Sequence, residues 1–69
     1  MTHTKPMHSW RVYFRNRETP VECVTAERAP VHAIATASDM IKADAGARLQ
    51  IYRVELLEDD GRTALAWRL

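Results

Sequence analysis

The chain reads as an α+β domain of order β-β-α-β-β, in which a four-stranded, mainly antiparallel sheet carries one helix on one face. Three observations predict this class. Trp10, Val12 and Phe14 alternate with Arg11, Tyr13 and Arg15, the two-residue period of a strand with one buried and one solvated side. Ala33, Ile34, Ala37, Met40 and Ile41 recur at intervals of three and four, which makes one apolar stripe along a helix. Two strand-like runs, Gln50 to Glu58 and Arg62 to Leu69, meet at Asp60-Gly61, a dipeptide that favours a tight hairpin turn.

Taken in order, residues 1–9 mix Thr, His, Lys, Pro and Met without periodicity and read as a flexible tail, leaving 10–69 as a single domain. The first strand begins at Trp10. Asn16 to Thr19 is polar and Pro20 cannot donate to a sheet ladder, so the chain turns there and a second strand starts near Val21. A turn at Arg17-Glu18 sets Phe14 opposite Val21, Val12 opposite Cys23 and Trp10 opposite Thr25, with Val21 and Cys23 facing inward as the preferred register; a one-residue change in loop length buries Val24 and Ala26 instead.

Pro30 suits a first helical turn, where its missing N–H has no intrahelical partner. The helix is expected to run to about Asp44 and to stop at Gly46 in a left-handed cap. The two alanines in its stripe let it lie close against a sheet. Leu49 and Ile51 have the parity opposite to Tyr52, Val54 and Leu56. Either a bulge near Ile51 turns both sets toward the core, or Leu49 and Ile51 belong to the entering loop.

A two-residue turn at Asp60-Gly61 pairs Glu58 with Thr63, Leu56 with Leu65, Val54 with Trp67 and Tyr52 with Leu69 on the inner face. On the outer face it pairs Asp59 with Arg62, Leu57 with Ala64, Glu55 with Ala66 and Arg53 with Arg68. Two strand orders satisfy these connections. The order 2-1-3-4 makes every neighbour antiparallel, and the ubiquitin-like 2-1-4-3 pairs the first and fourth strands in parallel. The longer apolar content of the first and third strands favours 2-1-3-4.

Composition narrows the function classes. At 69 residues the chain has room for one core, and burying roughly 60% of the unfolded surface leaves its stability marginal. The 10 basic and 9 acidic side chains give a net charge of +1, unlike a dedicated nucleic-acid binder. Eight of the ten bases are arginines, suited to planar bidentate contacts. The single Cys23 has no disulfide or metal partner and reads as a small core residue. No secretory signal and no apolar run of membrane-spanning length is legible, so a cytoplasmic protein without membrane contact is expected.

No catalytic constellation is read. His3 and His8 lack a third ligand, and His32 near the helix start reads as a solvated side chain. Asp39 and Asp44 do not share a helix face. Glu58, Asp59 and Asp60 lack the alternating oxygens of a calcium loop. The expectation is a non-enzymatic binding module with no metal and no cofactor.

Its candidate surface is the sheet face away from the helix. Arg11, Tyr13, Arg15, Arg53, Leu57, Ala64, Ala66 and Arg68 lie there, with Val24 and with Glu22 and Glu55 among them. Arg and Tyr beside small apolar residues match the composition of an interface. The last strand, in the 2-1-3-4 order, is also an edge without proline or lysine. A protein partner or a second copy of the chain is therefore the first expectation. A nucleic-acid-binding sheet using Arg11, Tyr13, Arg15, Arg53 and Arg68 is the alternative. The opposing reading is that the arginines only pair with Glu22 and Glu55 across strands.

The layout Val24-x-Ala26, then Ala33-x-x-x-Ala37 on a helix, then a hairpin resembles several small phage or mobile-element proteins, some CRISPR inhibitors among them, that pack one helix on an antiparallel sheet. The resemblance covers most of the domain at the level of architecture. It implies an inhibitory binding role as a further alternative and carries over no functional residue.

Overall fold

The computed structural model of the protein describes residues 7–69. The elements run β1 (His8–Phe14), β2 (Val21–Thr25), α1 (Pro30–Met40), α2 (Ala45–Arg48), β3 (Ile51–Leu57) and β4 (Thr63–Arg68). The sheet order is β2-β1-β3-β4 with every neighbouring pair antiparallel, which decides between the two orders in favour of 2-1-3-4. The expected tail over 1–9 lies, for its first six residues, outside the described residues. His8 and Ser9 already belong to β1, because Thr25 and Val24 extend the ladder to them.

The inner face of the sheet and α1 enclose the core. Trp10, Val12, Phe14, Val21, Cys23, Ile51, Val54 and Leu56 come from the strands, and Ala33 and Ala37 from the helix. Ala33, Ala37 and Ser38 are fully buried, so the small side chains bring the helix backbone onto the strands. Trp10 is fully buried yet not polar-deficient. Its Nε1–H donates to Thr25 Oγ1 at 2.7 Å, and that hydroxyl donates onward to the Glu27 carbonyl at 2.6 Å.

Four details of the sequence reading are corrected. First, β1 and β2 pair two residues out of the expected register, with Val12 opposite Val21 and Trp10 opposite Cys23. The loop is wider than a turn at Arg17-Glu18, and a shift of two leaves the buried set unchanged because strand side chains alternate with period two. Second, α1 stops at Met40, and the left-handed residue is Lys42 (φ 52°), not Gly46. Ala43 N–H donates to the Ser38 carbonyl at 2.8 Å and Lys42 N–H to the Asp39 carbonyl at 3.2 Å, the bond pair of a Schellman cap. Gly46 lies within the short α2, which Asp44 caps by accepting from Ala47 N–H at 2.8 Å. Met40 of the expected stripe is 58% exposed, since the helix ends beneath it.

Third, the last hairpin turns through three residues. Gly61 N–H donates to the Glu58 carbonyl at 2.9 Å, Glu58 N–H donates to the Arg62 carbonyl at 2.7 Å, and Gly61 has φ 88°. The extra loop residue is cancelled by a bulge. Leu57 pairs with Thr63 and Leu56 with Leu65, so Ala64 is the added residue and not the partner of Leu57. Beyond the bulge the expected pairs hold, including Val54 with Trp67, Glu55 with Ala66 and Arg53 with Arg68.

Fourth, a second register break falls where β3 begins. Tyr13 pairs with Arg53 but Phe14 pairs with Ile51, which leaves Tyr52 as the extra residue. Ile51 is buried as the bulge reading requires, whereas Leu49 is 82% exposed and Tyr52 leaves the core.

Candidate binding surface at the open sheet face and the β4 edge

Alternation along β1 and β3 places Arg11, Tyr13, Arg53, Glu55 and Leu57 on the face away from α1, as expected from sequence. At its centre stands Glu55, only 6% exposed although no helix covers it. Tyr13 Oη–H donates to Glu55 Oε1 at 2.7 Å, while Arg53 donates from Nε at 3.0 Å and approaches from Nη2 at 2.9 Å, both at Oε2. Burial pushes the Glu55 carboxyl up, but the hydrogen bonds from Tyr13 and Arg53 and the Arg53 charge, with a smaller contribution from nearby Thr63, outweigh it and hold the group below the usual carboxylate range. The same contact works in reverse on Tyr13. Its hydrogen bond to Glu55, then desolvation, push the phenol above its ordinary value.

Arg11 lies 3.5 Å from Glu22 on the neighbouring strand. The cross-strand pairing of arginines with Glu22 and Glu55 is thus present for Arg11 and Arg53. Arg15 and Arg68 are different. Both are exposed, and neither makes an ion pair among the described residues.

Arg15, Tyr52, Arg53, Arg68 and Leu69 line a cleft of about 330 Å³ at the end of the sheet where β3 begins. Arg15 sits over the Tyr52 ring, 5.3 Å from its centroid, and the Tyr52 ring is 6.0 Å from that of Tyr13. Sequence reasoning missed Tyr52 by placing it inward. The parity break between Ile51 and Tyr52 was the available signal, since a bulge there must expel one side chain from the inner face.

Elsewhere on the molecule, Cys23 is buried, with Sγ 3.6 Å from the Ala33 carbonyl oxygen. Burial pushes its thiol up. His32 is half-exposed and has an acidic neighbour, with Nδ1 3.9 Å from Glu27 Oε2. In the acidic turn, Arg62 engages Asp60 at 2.6 Å and Glu58 at 3.7 Å.

β4 is the exposed edge that the strand order implies. Thr63, Ala64, Leu65, Ala66 and Arg68 are all exposed, and Trp67 alone is half-buried, its ring centroid 5.8 Å from that of Trp10. The helix explains this. α1 packs chiefly on β2, and less on β1 and β3, so the inner side of β4 is covered only in part: Trp67 lies against the core while Leu65 is 43% exposed. Leu69 N–H donates to the Tyr52 carbonyl, so alternation makes Val54–Trp67 and Leu56–Leu65 the hydrogen-bonded pairs. The intervening peptide groups of Ala66 and Arg68 then point away from β3.

No helix among the described residues is long and apolar enough to cross a membrane. Comparison with known proteins finds no matching protein-family model, curated protein or solved structure.

Proposed function

We propose that the protein is a non-catalytic binding module that engages another protein strand, from a partner or a second copy, along the outer edge of β4. The observation that carries this reading is the chemistry of that edge. It offers the unpaired peptide groups of Ala66 and Arg68 between small or apolar side chains, without the proline or lysine that blunts an open edge. Leu65 and Trp67 extend the inner apolar face beyond the reach of α1, so an added strand gains side-chain burial as well as backbone hydrogen bonds. A self-pairing centred on Ala66 sets Leu65 of each copy against Trp67 of the other.

The centre of the open face is less suited to an extended polyanion. Arg11 and Arg53 are already engaged by Glu22 and Glu55, and carboxylates therefore interrupt the arginine track. The test is Ala66→Pro. Its N–H points outward, so the substitution spares the β3–β4 ladder while removing a donor from the edge and adding steric bulk. Sedimentation velocity over a wide concentration range is expected to show self-association, or affinity capture a specific protein, that Ala66→Pro abolishes with thermal stability kept. A wild-type chain that stays monomeric and captures nothing sensitive to Ala66→Pro overturns the reading.

A further inference from the structure

We infer that the cleft between Arg15, Tyr52, Arg53 and Arg68 is a binding site for a phosphate monoester, a ligand class separate from the strand partner of β4. The bulge at Tyr52 builds it. By expelling one residue from the inner face, the register break sets an aromatic ring beside Tyr13 and beneath Arg15, and the next residue along β3 brings Arg53 directly opposite Arg68. Two like charges opposite each other on neighbouring strands repel. The arrangement makes sense where an anion fills the space between them.

The charge balance favours an anion. Arg15, Arg53 and Arg68 supply three positive charges, and Glu55 is the one carboxylate in direct contact with any of them among the described residues. Residues 1–6 contain no Asp or Glu that could add another. The site is therefore net positive, which suits a phosphate monoester, a group that carries about −1.5 to −2 at neutral pH. Glu55 also fixes Arg53, holding it from Nε and Nη2 so that the rest of the guanidinium is directed without further ordering cost. Arg15 is steadied in turn by the Tyr52 ring.

Size agrees. At about 330 Å³ the cleft is at the small end of ligand sites, enough for a phosphate and a compact organic group. The ring faces of Tyr52 and Tyr13 are partly spent on Arg15 and on each other, so recognition rests on the phosphate more than on a stacked base.

The test is a titration of the full-length isotope-labelled protein followed by NMR at constant ionic strength set with chloride. The probes are inorganic phosphate, a nucleoside 5′-monophosphate, the matching nucleoside, and a short single-stranded oligonucleotide without terminal phosphates. Saturable shifts confined to Arg15, Tyr52, Arg53, Arg68 and Leu69 are expected with the monophosphate and not with the nucleoside. Loss of one charge-assisted contact in Arg15→Gln or Arg68→Gln is expected to weaken binding roughly tenfold or more. Both side chains are exposed, so these variants should melt as the wild type does. Equal binding of inorganic phosphate and the monophosphate supports the site and identifies the free anion as sufficient. Tighter binding of the monophosphate supports it and assigns a role to the organic group. The proposal is overturned by an absence of saturable shifts, by binding that survives both Gln variants, or by an oligonucleotide that binds more tightly with shifts spread across the open face. Ala66→Pro should leave phosphate binding intact, so failure at the β4 edge and failure at the cleft are told apart.

Discussion

Replacing Tyr13 with phenylalanine removes one oxygen from the molecule and tests the centre of the open face. The lost contact is the 2.7 Å bond to Glu55 Oε1. A hydrogen bond to a charged group is worth about 1.5–3 kcal/mol, and the half-buried position of Tyr13 lets water replace part of it, so the expected cost at pH 7 is about 1.5 kcal/mol. That is a large fraction of the ~3–5 kcal/mol that a domain of this size can muster. Urea unfolding followed by tryptophan fluorescence reads it, as a midpoint shift of about 1 M for a slope near 1–1.5 kcal/mol/M. The pH dependence is the sharper measurement. Glu55 titrates below its unfolded value, so its stabilising contribution is complete above the usual carboxylate range and is lost as pH falls through the folded pKa. Tyr13 titrates above its unfolded value, so the same contact contributes below about pH 10 and is lost as pH rises through the folded pKa. The difference between wild type and Tyr13→Phe should therefore be widest near neutrality and close at both extremes. A cost under about 0.5 kcal/mol, or one that stays constant from neutral to acid pH, would refute the reading of Glu55 as a charged, hydrogen-bonded centre.

Two further substitutions probe the packing that holds this surface in place. Ser38 is fully buried in α1 and its hydroxyl has no hydrogen-bond partner among the described residues, so Ser38→Ala should stabilise the fold by about 1–3 kcal/mol in chemical denaturation. Trp67→Ala should cost about 1–3 kcal/mol, less than the 3–5 of a fully buried tryptophan, because only part of the ring is covered against Trp10. A Trp67→Ala loss as large as that of Trp10→Ala in the same assay would mean that β4 is covered in solution by something beyond its own chain.

Much of this architecture was legible because alternation and helical spacing are local signals. Trp10, Val12 and Phe14 declare their buried side whatever strand they pair with, and the two-residue slip against β2 did not disturb it. The arginines and Tyr13 of the open face followed from the same parity, since residues that alternate with a buried set must face away from it. Tyr52 was not legible in this way. A bulge reverses parity at one residue, and which residue is expelled depends on how Phe14 and Ile51 pack, not on the residues beside it. The capping residue of α1 was misplaced for a related reason. Glycine is the usual left-handed residue, but α1 ends at Met40 and Lys42 takes the left-handed conformation of the cap, four residues before Gly46.

By itself, then, the amino-acid order determined the class of fold, the inner and outer faces of the strands apart from Tyr52, and the hairpin pairs from Arg53 to Leu56, because each depends on short-range periodicity and turn chemistry. Tertiary structure alone decided the rest. The meeting of Arg15, Tyr52, Arg53 and Arg68 in one cleft, the seclusion of Glu55 under no helix, and the partly covered inner side of β4 all arise from contacts between residues distant in sequence. Those contacts follow from where a short helix can reach across a four-stranded sheet, and that reach ends before the last strand.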